Sequence, residues 1–149
     1  TEERAVDIGV EKVELDELLG RADCITLHTP LTDETRNILS RENLAKTKKG
    51  VRIVNCARGG LVDEDALAEM LDSGHVAGAA LDVFEQEPLP ADHPLWDHPN
   101  VMISAHMAGD FIGWRQALGQ QFVDNFHRWR RGQPLDNPVS KEHGYVTNR

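Results

Sequence analysis

The sequence predicts an α/β fold built on an open, parallel β-sheet. Four short apolar runs alternate with stretches of helical character, which is the pattern of strands joined by helical crossovers. Each run stops at or shortly before side chains that can do chemistry. Parallel strands bring their carboxyl ends to one edge of the sheet, where ligands of such sheets bind, so we expect these side chains to meet in one crevice. They are His28, Arg58, Asp82, Glu87 and His106.

The apolar runs are the predicted strands, at residues 23–28, 51–55, 76–82 and 100–104. Pro30 ends the first run, because proline has no amide hydrogen to donate to a ladder. The third run contains Gly78 followed by two alanines, and such small residues indicate close approach by a neighbouring helix or a ligand.

Capping residues and apolar periodicity predict short helices between and before these strands. Asp63 is the clearest N-cap, since its carboxylate can accept from the free amides of a first helical turn. Four helices are predicted here. The first carries Leu15, Leu18 and Leu19 on one face and stops at Gly20, and the second begins at Thr32. The third runs from Ser40 to Lys48 and ends before Gly50, and the fourth runs from Asp63 to Gly74. We predict no element for residues 1–13.

A long amphipathic helix is predicted from Asp110 to Arg131, followed by an extended polar tail from Gln133. Gly113 and Gly119 each weaken it by up to about 1 kcal/mol relative to alanine, so tertiary packing must stabilise it. Its apolar positions recur at three- and four-residue spacing, at Phe111, Trp114, Leu118, Phe122, Phe126 and Trp129.

Composition narrows the class of protein. The formal net charge of the 149 residues is −9 at pH 7, which argues against nucleic acid as the main partner. No apolar run approaches the roughly 20 residues that cross a bilayer, so we expect no membrane association through a spanning helix. The chain begins at Thr1 rather than Met, and we expect it to be part of a longer protein.

The cysteines and histidines give no sign of a disulfide or a metal site. Cys24 and Cys56 fall in or just after predicted buried strands, and no secretory signal precedes them. Free thiols in a reducing compartment, the cytoplasm, are therefore expected. Neither a CxxC nor an HExxH spacing occurs, and we predict no metal ligands.

Three side chains are the strongest catalytic candidates. Arg58 lies between a strand and two glycines that allow a sharp turn. Its guanidinium can bind a carboxylate through bidentate hydrogen bonds. The alternative is that Arg58 is a structural arginine that donates to a carbonyl. His106 is a candidate general acid or base, because histidine can exchange a proton near neutral pH; the alternative is a structural histidine at a strand end. Glu87 can pair with that histidine, or it is an ordinary solvated loop carboxylate.

The remaining candidates also follow strands. Asp82 ends the third strand, where it caps a backbone turn or meets a cationic ring in the crevice. His28 and Thr29 end the first strand, where they touch a ligand or bond the turn.

Four segments stand out in order along the chain: LHTPLT at residues 27–32, NCARGGLVD at 55–63, AALDVF at 79–84 with Glu87-Pro88 following, and HMAG at 106–109. Together they resemble the D-isomer-specific 2-hydroxyacid dehydrogenases. Their order and spacing match that family up to about residue 137. The resemblance implies the second half of a doubly wound, Rossmann-type parallel sheet with a long C-terminal helix. Residues 1–109 would then be an incomplete dinucleotide-binding domain without its first βαβ half, and residues 110–149 a helix and tail leading back toward a substrate domain.

The resemblance also implies roles for individual residues. Arg58 corresponds to the arginine that binds substrate and polarises its carbonyl, His106 to the general acid/base, and Glu87 to the carboxylate paired with it. The implied reaction is hydride transfer between NAD or NADP and a small-molecule D-2-hydroxy acid or 2-keto acid, in a protein that is commonly a homodimer. The positions matching cofactor contacts are His28, Thr29, Pro30, Cys56, Ala57, Arg58, Asp82, His106, Ala108 and Gly109.

The sequence departs from the family pattern in two places. It contains no G-x-G-x-x-G loop, so we expect the chain alone to be inactive and to bind NAD poorly. After Gly109, the residues 110–115 differ from the commoner Thr-x-Glu-Ala pattern, which indicates a distinct subgroup. Two alternatives share the fold: an NAD-sensing regulator similar to the corepressors of this family, and a formate dehydrogenase, which tends to carry Gln at the position of Glu87.

Overall fold

A four-stranded parallel sheet forms the centre of the first of two units, Thr1–His106 and Met107–Arg149, into which the chain divides. The computed structural model describes residues 2–142 and 144–146. The strands are β1 (Cys24–Leu27), β2 (Val51–Asn55), β3 (Val76–Leu81) and β4 (Val101–Ile103), in the order β1-β2-β3-β4. All three pairings are parallel, and the last residues of the four strands lie side by side. The predicted strands and their common carboxyl edge are confirmed.

Five α-helices precede, connect or follow the strands within the described residues. They are α1 (Glu2–Asp7), α2 (Leu15–Arg21), α3 (Arg41–Ala45), α4 (Glu64–Asp72) and α5 (Trp114–Arg130). The predicted cap at Asp63 is confirmed, because its side chain accepts a hydrogen bond from the amide of Ala66. Ser40 caps α3 in the same way, by accepting from the amide of Asn43. Short 3-10 helices occupy Gly59–Leu61 and Pro94–Trp96.

Several predicted helix boundaries are wrong. Gly20 lies inside α2 rather than after it, and α1 was not predicted. The helix expected from Thr32 is a set of turns, even though the Thr32 hydroxyl accepts from the amide of Thr35 as an N-cap would. Within those turns, Asn37 has a φ of 51° and donates its amide to the carbonyl of Gly60 at 2.9 Å. The hydrogen bond from the Asn37 amide to Gly60 thus takes the place of the hydrogen bond that this amide would make within a helix.

The hydrophobic core lies on one face of the sheet. Strand alternation points Ile25, Ile53 and Leu81 to this face, where they pack with apolar side chains of the helices that include Leu19 of α2 and Leu67 of α4. The opposite face exposes other strand side chains, and a cavity there is lined by residues of all four strands, among them Cys24, Arg52 and Met102.

Both cysteines are free thiols, as expected, and both are exposed although they lie in or just after a strand. Cys24 alternates onto the open face of the sheet, and Cys56 follows the end of β2. Gly78 does mark a close approach, since an added Cβ would lie 3.1 Å from the carbonyl oxygen of Asn100. The neighbour is the backbone leading into β4 rather than a helix or a ligand.

The second unit, Met107–Arg149, consists of a turn-rich segment before α5, the helix α5 itself and the segment that follows it. The helix begins four residues later than predicted, because Gly113 takes a left-handed φ of 93° at its N-cap. No residue of α5 is buried, and its apolar side chains, including Leu118, Phe122, Phe126 and Trp129, are exposed. The segment after α5 is anchored to it, since Asn125 accepts from the amide of Asp136 at 2.8 Å. Among the described residues, no helix combines the length and apolarity that would let it cross a bilayer.

Candidate active site

Glu87 and His106 form a hydrogen-bonded pair beyond the carboxyl edge of the sheet. Glu87 Oε2 lies 2.7 Å from His106 Nδ1, and Glu87 Oε1 accepts a hydrogen bond of 2.9 Å from the amide of Phe84. The bond from His106, followed by that from the Phe84 amide, holds the pKa of Glu87 below its usual range. The side chains are 37% and 50% exposed, so the pair is fixed in place while remaining open to a ligand.

The backbone at His106 is unusual. Its φ of 51° lies in the left-handed region, which few residues other than glycine enter, although histidine, asparagine and aspartate do so more often than most. It follows β4 after only Ser104 and Ala105. The conformation therefore occurs where the chain leaves the sheet and the imidazole reaches Glu87.

Arg58 lies beside this pair. A cavity of about 410 Å³ is lined by Arg58, Glu87 and His106 together with Arg36, Glu85 and apolar or small residues. Arg58 Nη1 donates to the carbonyl of Ala57 at 2.6 Å, and Arg36 pairs with Glu85 at 3.2 Å. The cavity thus combines two guanidinium groups, one of them facing a carboxylate partner, with the acid–base pair. Such a cavity suits an anionic ligand that carries an exchangeable proton.

A second cavity of about 490 Å³ contacts the same pair from another side. Asp82, only 3% exposed, lies on its wall and accepts a hydrogen bond from the Ser104 hydroxyl at 2.5 Å. Its other walls are mainly apolar, formed by residues that include Phe84, Leu89, Trp96 and Ile103. Because Glu87 and His106 line both cavities, a group in either one would lie next to the acid–base pair.

The other predicted residues lie outside these two cavities. His28, Thr29 and Pro30 follow β1 at the same sheet edge, but none lines either cavity, and the His28 ring bonds the hydroxyl of Thr26 at 2.8 Å. Cys56 and Ala57 follow β2 and also line neither one. Ala108 and Gly109 belong to the second unit, in a turn closed by the amide of Asp110 and the carbonyl of Met107.

Sequence reasoning missed residues that shape the site through the backbone. Asn55 is buried, donates to the carbonyl of Arg58 at 2.9 Å and accepts from the amide of Ala57 at 3.1 Å, which fixes the turn that carries the guanidinium. Ser104 holds Asp82. Only their positions at strand ends could have indicated these roles.

A hydrogen-bonded carboxylate–imidazole pair beside an arginine-lined cavity, at the carboxyl edge of a parallel α/β sheet, lies where open α/β domains bind their ligands. The family model described as D-isomer specific 2-hydroxyacid dehydrogenase, NAD binding domain, matches residues 1–108. The chain belongs to this family.

Individual relatives agree with the family. D-3-phosphoglycerate dehydrogenase of Bacillus subtilis (strain 168) is 49% identical over 140 residues, which are 94% of this chain and 26% of that protein. Glyoxylate reductase of Thermofilum pendens is 42% identical over 133 residues, or 89% of this chain and 39% of that protein. The chain thus spans well under half the length of these relatives.

Solved structures confirm the fold. A D-isomer specific 2-hydroxyacid dehydrogenase from Xanthobacter autotrophicus Py2, in complex with NADPH and MES, matches with a TM-score of 0.77 and 41% identity. The match covers 88% of this chain and 53% of that one. An NADPH-dependent glyoxylate/hydroxypyruvate reductase from Sinorhizobium meliloti, in complex with NADP and sulfate, matches with a TM-score of 0.82 and 37% identity over 92% of this chain and 45% of that one.

Proposed function

We propose that the protein containing this chain is an NAD(P)-dependent dehydrogenase that interconverts D-2-hydroxy acids and 2-keto acids. The 2.7 Å pair of Glu87 and His106, next to Arg58 in one cavity, is the observation that carries this proposal. The family membership supports it, as do relatives described as D-3-phosphoglycerate dehydrogenase and glyoxylate reductase. Assay of the parent protein with a panel of 2-keto acids, using NADH and NADPH, tests it. Absence of turnover with every acid would overturn the proposal.

Each of the three residues has a separate role in this proposal. Arg58 binds the substrate carboxylate and draws electron density from the reacting carbonyl. His106 gives a proton to the carbonyl oxygen during reduction and takes it back during oxidation. Because Nδ1 of His106 contacts Glu87, the proton is exchanged at Nε2. Glu87 orients the ring and favours its protonated form.

We propose that the second cavity receives the nicotinamide ring. Its mainly apolar walls suit a flat ring, and the buried carboxylate of Asp82 offers a fixed acceptor for a polar substituent or a cationic ring. The dinucleotide supplies the hydride when it is bound. We propose that Asp82 holds the nicotinamide end and that Thr29, Cys56 and Ala57 contact the cofactor along the sheet edge.

Arg58→Lys in the parent protein is expected to lower kcat and raise KM. Lysine keeps the positive charge but cannot form the planar, bidentate hydrogen bonds that a guanidinium makes to a carboxylate. A charge-assisted hydrogen bond contributes about 1.5–3 kcal/mol, so kcat/KM should fall about 10- to 100-fold. Steady-state kinetics check this, with Arg52→Lys on the open face of β2 as the matched control. Both constants within twofold of the parent would contradict the assignment of Arg58.

Glu87→Gln is expected to move the pH dependence of both reaction directions. The lowered pKa keeps Glu87 ionised at neutral pH, and the attraction that this anion exerts is lost only as pH falls through that lowered value. Glutamine removes the negative charge that favours the imidazolium. Reduction, which needs the protonated ring, should therefore fade at a lower pH, and oxidation should extend further toward acid.

Profiles of kcat/KM against pH in both directions measure this effect of Glu87→Gln. Glu85→Gln is the control, because that carboxylate lines the same cavity but pairs with Arg36. An unmoved reduction limb in Glu87→Gln would mean that Glu87 is an ordinary loop carboxylate.

The 149-residue chain by itself is expected to bind NAD weakly or not at all and to lack dehydrogenase activity. It contains no G-x-G-x-x-G loop, whose amides and following helix N-terminus bind the pyrophosphate in this fold. Calorimetric titration of NAD into the chain checks this expectation, and low-micromolar binding would refute it.

A further inference from the structure

Glu64 is a largely buried carboxylate that the proposed mechanism leaves unused. It lies in the first turn of α4, and its side chain is 15% exposed. Its Oε1 accepts a hydrogen bond of 2.7 Å from the amide of Glu85, and its Oε2 lies 3.6 Å from His93 Nε2. Burial raises the pKa of Glu64, since desolvation penalises the charged form. Because burying a carboxylate is unfavourable, the contacts of Glu64 are expected to stabilise the fold or to position the site.

The contacts of Glu64 lead to the loop that carries Glu87. Glu64 binds the amide of Glu85, while the amide one residue earlier, that of Phe84, donates to Glu87 Oε1. His93 packs against the Phe84 ring in an edge-on arrangement, with ring centroids 6.4 Å apart. Two consecutive amides are therefore engaged by carboxylates: one carboxylate anchors the loop to α4, and the other belongs to the acid–base pair.

The peptide group between Phe84 and Glu85 also packs against the segment that carries Arg58. A Cβ added to Gly59 would lie 1.9 Å from the carbonyl carbon of Phe84 and 2.2 Å from the amide nitrogen of Glu85. The backbone next to Arg58 is thus in contact with the peptide that Glu64 holds. A shift of this peptide would move the amide that orients Glu87.

We propose that Glu64 is a positioning residue for Glu87, acting through its hydrogen bond to the amide of Glu85. The bond fixes the Phe84–Glu85 peptide, which places the Phe84 amide against Glu87 and so directs the other carboxylate oxygen to His106. This inference rests on the proposed dehydrogenase function. The competing explanation is that Glu64 serves only α4, as a first-turn carboxylate that complements the helix dipole.

Two substitutions in the parent protein separate these explanations. Glu64→Asp keeps the charge in the first turn but is one methylene too short to reach the amide of Glu85. Glu64→Gln loses the charge but keeps an oxygen at the same reach. If Glu64 positions Glu87, Glu64→Asp should lower kcat about tenfold, which is less than the roughly hundredfold loss that a 1 Å misplacement can cause. The kcat of Glu64→Gln should stay within about threefold of the parent value. Asp65→Asn, an exposed change in the same turn, should have no effect on kcat.

A double-mutant cycle shows whether the effect passes through Glu87. Once Glu87→Gln is present, Glu64→Asp should cause little further loss of kcat, because groups acting as one unit are non-additive. Equal losses in both backgrounds would overturn the proposal. So would a larger loss for Glu64→Gln than for Glu64→Asp, which is the order expected from the helix dipole.

A readout independent of turnover distinguishes failure of this inference from failure of the proposed function. NMR of the parent protein labelled with ¹⁵N-histidine, with the His106 signal assigned by His106→Asn, follows the hydrogen bond between Nδ1 of that ring and Glu87. Glu64→Asp should move the Nδ1 signal toward its position in Glu87→Gln, and Glu64→Gln should leave it in place. Absence of 2-keto acid reduction would overturn the dehydrogenase function, while an unmoved Nδ1 signal in Glu64→Asp would overturn the positioning role.

Discussion

Replacing His106 by Asn in the parent protein is expected to lower kcat about 10²- to 10⁴-fold, the range in which general acid–base catalysis contributes. Asparagine is the suitable replacement because it tolerates the left-handed region in which His106 lies, with a φ of 51°. The backbone should therefore remain in place while the proton-exchanging ring is lost. Initial rates of reduction and oxidation, each at its own optimal pH, measure the effect.

His127→Asn is the matched control for this substitution. His127 is an exposed residue of α5 whose ring contacts Phe126, and its loss should leave kcat unchanged. Denaturant unfolding of both variants establishes that neither change acts through global stability. A kcat within about threefold of the parent for His106→Asn would remove the histidine from the mechanism.

The strands could be predicted because their signal is local. A buried parallel strand needs a short apolar run, and the chain must leave the sheet where that run ends. Each run and its stop are contiguous in the sequence, so the common edge at which Leu27, Asn55, Leu81 and Ile103 lie could be predicted, while the order of the strands along it comes from the structure. The side chains beyond this edge could then be named as site candidates.

The helix boundaries could not be predicted because contacts distant in sequence decide them. Thr32 has the chemistry of an N-cap, yet only turns follow it, because the amide of Asn37 binds the carbonyl of Gly60 instead of continuing a helix. Gly20 remains within α2, where Leu19 is fully buried and Arg21 pairs with Glu17 at 2.6 Å. Burial and an ion pair of the flanking residues override the preference of glycine for helix ends.

The candidate site was predictable where side chains act directly and hidden where they act through the backbone. Glu87 and His106 have an acid–base chemistry that their residue types reveal, and the structure brings them together. Glu64 and Asn55 bind main-chain amides and carbonyls, so no motif of side-chain chemistry marks them. Gly59 and Gly60 were noted in the sequence as a pair that lets the backbone turn sharply. That explanation is incomplete for Gly59, because close packing against the Phe84–Glu85 peptide also requires a residue without a side chain there.

Gly59→Ala in the parent protein is expected to reduce both stability and kcat. The new Cβ would lie 1.9 Å from the carbonyl carbon of Phe84 and 2.2 Å from its oxygen, and backbone atoms cannot move aside as the end of a flexible side chain can. Forcing extra volume into a packed site costs about 1–3 kcal/mol, occasionally more. If the protein folds, the segment carrying Arg58 and the loop carrying Glu87 must separate, so kcat should fall by at least about tenfold.

Gly60→Ala makes the chemically identical change one residue later and serves as the control. Its Cβ would meet only side-chain atoms, Arg36 Nη1 and Leu31 Cδ2, both at 3.1 Å, and these can shift by a few tenths of an ångström. The urea midpoint and kcat of Gly60→Ala should therefore remain closer to those of the parent than the values for Gly59→Ala. Equal effects of the two substitutions would show that any methyl group in this glycine pair is harmful. The contact between Gly59 and the Phe84–Glu85 peptide would then have no special part in holding Arg58 and Glu87 at one cavity.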